Sequence, residues 1–110
     1  LMKRKTIALD FDGVLHAYTG WNDGKLNKPV NGAVQNWWRL YNEGYELVVF
    51  TCRDDIDNIR EWMHKHFDFE KNIGHFYEPT ITNVKPRAIA YIDDRAIRFT
   101  NWEDIRRYFI

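Results

Sequence analysis

With 110 residues the chain has material for one modest core and not for two. Its 45% apolar and 29% charged residues exclude a disordered polymer, and 16 basic against 16 acidic side chains exclude a global charge that would steer it towards nucleic acid or an anionic membrane. Cys52 is the single cysteine, which excludes an internal disulfide framework and any multi-cysteine metal site.

No apolar run approaches the roughly 20 residues that cross a bilayer, and the basic start at Lys3-Arg4-Lys5 lacks the apolar stretch of a signal peptide. A cytoplasmic protein without a membrane partner is expected. The first apolar run, Thr6 to Phe11, is short and stops at Asp12-Gly13, so it reads as a buried strand ending in a turn, with Asp10 and Asp12 at its carboxyl edge. From Val14 to Pro29 no period is sustained, and Gly20, Asn22-Asp23-Gly24 and Pro29 supply turn chemistry. Residues 14–29 are expected to form a loop or flap, too short for a separate domain.

Asn31 is placed to cap a helix whose apolar residues Val34, Trp37, Trp38 and Tyr41 follow helical spacing, with Gly44 as its left-handed terminator. The β-branched and aromatic run Leu47 to Thr51 reads as a second interior strand. Asp54 then caps a second helix carrying Ile56, Ile59, Trp62, Met63 and Phe67. After a weak apolar patch at Ile73 to Tyr77 and a turn at Pro79, Ala88 to Ile92 forms a third strand that ends on Asp93-Asp94. A short apolar piece at Ile97 to Phe99 follows, and Asn101 opens a terminal helix. Alternating strands and helices predict one domain over residues 1–110, a three-layer, Rossmann-like α/β sandwich with a mainly parallel sheet, and such sheets bind ligands beyond the carboxyl ends of their strands.

Chemistry-bearing residues gather at those ends. Asp10 and Asp12 follow the first strand, Thr51 the second and Asp93-Asp94 the third, with Lys85 one short loop and a strand before Asp93. Carboxylates crowded together need a compensating cation, and an all-oxygen donor set suits magnesium better than zinc. A hydroxyl and an ammonium nearby suit phosphate oxygens.

In that order the set resembles the haloacid dehalogenase superfamily of phosphatases and phosphotransferases, over nearly the whole chain. Asp10-Phe11-Asp12-Gly13-Val14 is similar to the family's first motif, Thr51 to its second, Lys85 to its third and Asp93-Asp94 to its fourth. The resemblance implies a Mg²⁺-dependent phosphomonoesterase in which Asp10 is the nucleophile and forms an aspartyl phosphate. It also implies that Asp12 is the general acid and base, that Thr51 and Lys85 stabilise the phosphoryl group, and that Asp10, the Asp12 carbonyl, Asp94 and Asp93 surround the metal. With only residues 14–29 and 67–83 free to cover the site, the chain resembles the small, capless or minimally capped phage and bacterial members.

Gly13, His16 and Arg53 are candidate substrate contacts, His16 together with Tyr18 and Trp21 at the entrance; Arg53 has the alternative of pairing with Asp54 or Asp55, and Arg95 is ambiguous in the same way. Arg87 is a weaker substitute for Lys85. His64 and His66, two apart on a helix, fall on different faces and are expected in solvent; Cys52 is expected buried and inert. The substrate is a phosphorylated small molecule, a nucleotide or a macromolecular end. A nucleotidase or a nucleic-acid 3′-phosphatase is the alternative, the latter weakened by zero net charge. A phosphoaccepting receiver-like signalling domain fits less well, because there the acidic pair precedes the lone phosphorylated Asp.

Overall fold

A computed structural model describes residues 4–94 and 101–109. Strand β1 (Thr6–Asp10) is followed by the 14–29 loop and helix α1 (Ala33–Asn42), then by β2 (Glu46–Phe50) and α2 (Ile56–Phe67). A short helix α3 (Phe69–Ile73), strands β3 (Thr80–Thr82) and β4 (Ala90–Ile92), and helix α4 (Trp102–Phe109) complete the order. The strands form one parallel sheet in the order β3-β2-β1-β4, with Asp10 opposite Phe50 and Leu9 opposite Ile92. The chain is therefore an α/β, Rossmann-like sandwich of a parallel sheet and flanking helices.

Alternation along the strands sets the layers. Ile7 and Leu9 of β1 and Leu47 and Val49 of β2 share the core with Trp37 and Trp38 of α1 and Ile59, Trp62, Met63 and Phe67 of α2, while Ala8 and Val48 point to the opposite face and are also buried. Fully burying each large apolar side chain is worth roughly 1.5–3 kcal/mol, which is how an aromatic-rich chain this short stays folded. Trp37, Phe67 and Phe69 meet edge to face or stacked, and Trp38 Nε1–H donates to the Phe67 carbonyl at 2.9 Å, tying α1 to the end of α2. Trp38→Phe keeps the ring and deletes that donor. A loss of about 1 kcal/mol in urea denaturation is expected, and an unchanged midpoint would mean that the bond contributes nothing.

Both predicted caps move by one residue. Gly32, at φ 84°, is the N-cap of α1 in place of Asn31, because only a residue free of Cβ strain takes that left-handed turn easily. Asp55 stands before α2 in place of Asp54, its side chain turned to Arg53 and Asn58. Gly44, at φ 99°, does follow the end of α1. The predicted patch at Ile73 to Tyr77 starts on the last residue of α3 and is otherwise irregular, leading to the edge strand β3, and the third predicted strand shortens to Ala90–Ile92. Ile97 to Phe99 lies outside the described residues. Among the described residues, no helix is long and apolar enough to cross a membrane.

Candidate active site

From β1 the chain adds β2 and β3 on one side, then crosses back to lay β4 on the other, so the switch in direction falls between β1 and β4. A crevice opens at the carboxyl ends of strands at such a point. Here it has a volume of about 320 Å³ and is lined by Asp10 and Asp12 after β1, Thr51 and Arg53 after β2, Asp93 and Asp94 after β4, and by Tyr18, Phe50 and Cys52.

The turn after β1 is tight. Leu15 and His16 N–H both donate to the Phe11 carbonyl, at 3.0 and 2.9 Å, and Gly13 N–H donates to the His16 carbonyl at 2.9 Å. Gly13 lies at φ 85°, and a Cβ there would stand 1.9 Å from Asp94 Oδ2; the missing side chain is what lets the β4 acid approach the β1 turn.

Asp10, Asp93 and Asp94 each offer a carboxylate oxygen within 4.8 Å of the others. Burial, and next the negative charge of Asp93, push the Asp10 carboxyl up to about 6, against the pull of the Phe11 N–H that donates to its Oδ1 at 2.9 Å. Three acids at this spacing repel one another in their charged forms. An all-oxygen donor set of this kind fits a hard divalent ion such as magnesium.

Asp12 behaves differently although it is two residues away. Arg53 grips it with a two-pronged contact, Nε to Oδ2 at 2.7 Å and a terminal N–H to Oδ1 at 3.0 Å, and His16 Nδ1 lies 2.8 Å from Oδ1. The Asn27 N–H donates to His16 Nε2 at 2.8 Å, so the ring proton sits on Nδ1 and points at Asp12. Burial works against the charged form, but the hydrogen bonds from Arg53 and His16 outweigh it and hold the Asp12 carboxyl below its ordinary value.

Thr51 is buried at the end of β2, and its Oγ1 accepts the Arg53 N–H at 3.1 Å, which leaves the hydroxyl proton for another acceptor. The Arg53 guanidinium lies 5.1 Å from the ring centre of Trp21, 5.6 Å from Tyr18 and 5.7 Å from Phe11.

Asp10, Asp12, Gly13, Thr51, Arg53, Asp93 and Asp94 thus meet at one strand edge. Lys85 does not join them: it is exposed, with Nζ 4.7 Å over the Tyr91 ring. Arg87 is exposed as well, and Arg95 lies outside the described residues. His16 is no entrance residue; at 1% exposure, stacked on Phe11, it backs Asp12 instead. Arg53 takes Asp12 first and Asp55 second, at 3.3 Å, and Asp54 not at all among the contacts of its side chain. Cys52, expected buried, is exposed at the cleft wall, because the chain has left β2 there and its side chain faces outward. His64 and His66 are half-buried, the former 3.2 Å from Glu78 and the latter packed on Trp62. Sequence reasoning missed Asn27, since a backbone donor in an aperiodic loop leaves no signal.

No family model and no curated protein sequence matches the chain. A solved structure of a conserved protein from Bacteroides thetaiotaomicron superposes with a TM-score of 0.62, over 94% of this chain and 87% of its own, at 22% identity. That likeness is one of fold.

Proposed function

We propose that the chain is a magnesium-dependent phosphomonoesterase of the haloacid dehalogenase type, with Asp10 as nucleophile. The observation that carries this reading is the gathering of Asp10, Asp93 and Asp94 around one point, with Asp12 and the Thr51 hydroxyl lining the same crevice. Asp10, Asp93 and Asp94 would hold the ion, joined by the Asp12 carbonyl as the resemblance implies, since the Asp12 carboxylate is already engaged by Arg53 and His16. Bound there, magnesium would offset the repulsion between a carboxylate nucleophile and a phosphate dianion.

The chain's own groups then divide the work. An Asp10 oxygen attacks phosphorus, the bond to the ester oxygen breaks, and the departing alkoxide takes a proton from Asp12, which must enter this half of the cycle protonated, against the pull of Arg53 and His16. Water next attacks the aspartyl phosphate, gives its proton to Asp12, and releases inorganic phosphate and the free Asp10 carboxylate. The contacts that hold Asp12 ionised favour the second half of the cycle, where it is the base. Thr51 donates its free hydroxyl proton to a phosphoryl oxygen. The cation within reach is Arg53, while Lys85, held over Tyr91, is given no step.

The test is a panel of phosphate esters that includes p-nitrophenyl phosphate, with magnesium present. Hydrolysis that stops on adding EDTA and returns with excess magnesium is expected. No release of phosphate from any ester, or release indifferent to EDTA, refutes the reading.

A further inference from the structure

The 14–29 loop has almost no regular structure, yet it is firmly tied. Asn27 Nδ2 donates to the Ala17 carbonyl at 2.9 Å and to Thr19 Oγ1 at 3.0 Å, Trp62 Nε1 donates to the Asn27 carbonyl at 2.7 Å, and Asn58 Nδ2 donates to the Gly24 carbonyl at 2.6 Å. This scaffold presents two rings here, Tyr18 in the cleft lining at 39% exposure and Trp21 beside the lining residue Arg53 at 61%. Both rings lie against the Arg53 guanidinium, whose side chain is 10% exposed with them in place, yet that contact still leaves most of the Trp21 indole in water.

We propose that Tyr18 and Trp21 form a stacking platform for the base of a nucleoside monophosphate whose phosphate enters the crevice below. This deepens the phosphatase reading and rests on it for the position of the phosphate. An exposed indole with a cation over one face has its other face free to stack on a flat ring, and every nucleobase presents a π-face. A platform fixed before the ligand arrives loses little on ordering. The cleft volume of about 320 Å³ is that of a small-molecule site. A sugar phosphate would leave the exposed face of Trp21 without a partner. A nucleic-acid strand would need a basic groove, whereas Arg53 is the single cationic side chain among the described lining residues and is engaged by Asp12.

Adenosine, which carries the base and no phosphate, separates the platform from the chemistry. Calorimetric titration should show it binding the wild-type protein, weakening roughly 5- to 100-fold in Trp21→Ala and recovering in Trp21→Phe. In parallel, kcat/KM for adenosine monophosphate should exceed that for glycerol 2-phosphate by at least about tenfold, a ratio that falls towards one in Trp21→Ala. Because Trp21 is largely in solvent, its truncation leaves the core intact. Adenosine that fails to bind, or binds Trp21→Ala equally well, overturns the platform, as does hydrolysis of both esters with no preference. An oligonucleotide bound far more tightly than the mononucleotide, with steep salt dependence, overturns the choice of occupant. Trp21-dependent adenosine binding without hydrolysis of any ester would instead keep the platform and remove the phosphatase.

Discussion

Asp10→Asn is expected to lower phosphate-ester turnover by at least about 10⁴-fold while making the metal-free protein more stable at neutral pH. The two effects share one cause. A carboxylate partly withdrawn from water beside Asp93 and Asp94 is strained in its charged form, and burial with those neighbours moves its titration from 3.8 to about 6. The sign follows from linkage. A folded-state value raised above the unfolded one contributes stability that is complete below about pH 3.8 and is lost as pH rises through about 6. At pH 8 the wild type therefore carries the full electrostatic cost, and Asn removes it. After discounting for partial solvent screening, the gain is on the order of 1–2 kcal/mol, or several degrees in Tm. Thermal melts in EDTA at pH 8 and pH 4 should show it at the first and not at the second. Excess magnesium should shrink the difference, because the ion stabilises only the protein that keeps the carboxylate. A variant that melts no higher than wild type at pH 8, or that still turns over substrate, would remove Asp10 from the centre of the site.

Gly13→Ala should be the most damaging change that leaves every polar group in place. Alanine at φ 85° meets left-handed strain of roughly 1–2 kcal/mol, and its Cβ would also occupy the position of the Asp94 carboxylate, 1.9 Å from Oδ2 and 2.6 Å from Cγ. Asp94 must move away. The expected result is a loss of about 1–2 kcal/mol in stability, several degrees in Tm, with magnesium-dependent turnover down at least about 100-fold and a much higher magnesium requirement. Gly20 makes the control: at φ 110° with nothing within 4 Å, Gly20→Ala carries strain alone. Equal magnesium requirements in the two variants would show that the contact between Gly13 and Asp94 has no bearing on metal.

Much of the site is legible because its acids punctuate strong strand signals. Thr6 to Phe11 and Leu47 to Thr51 are dense in apolar residues, and in a parallel α/β sheet every strand ends on the same edge, so Asp10, Thr51 and Asp93-Asp94 could be brought together without knowing a single contact. The edge strand β3 escaped for the opposite reason. Thr80-Ile81-Thr82 is three residues with one apolar side chain, and it becomes a strand only because β2 offers it a free ladder.

What local pattern determined, then, is the α/β order, the apolar faces of α1 and α2 and the acid-bearing strand ends, all of which follow from periodicity and sterics within a few residues. Tertiary structure alone decided which partner each functional side chain keeps. Arg53 reaches across 41 positions to Asp12 rather than to its neighbour Asp54, His16 turns inward under Asn27, and Lys85 settles on Tyr91. Those choices depend on distances between segments far apart in the chain. Charge–charge and hydrogen-bond energies fall off over a few ångströms, so they take definite values only after packing has set the spacing.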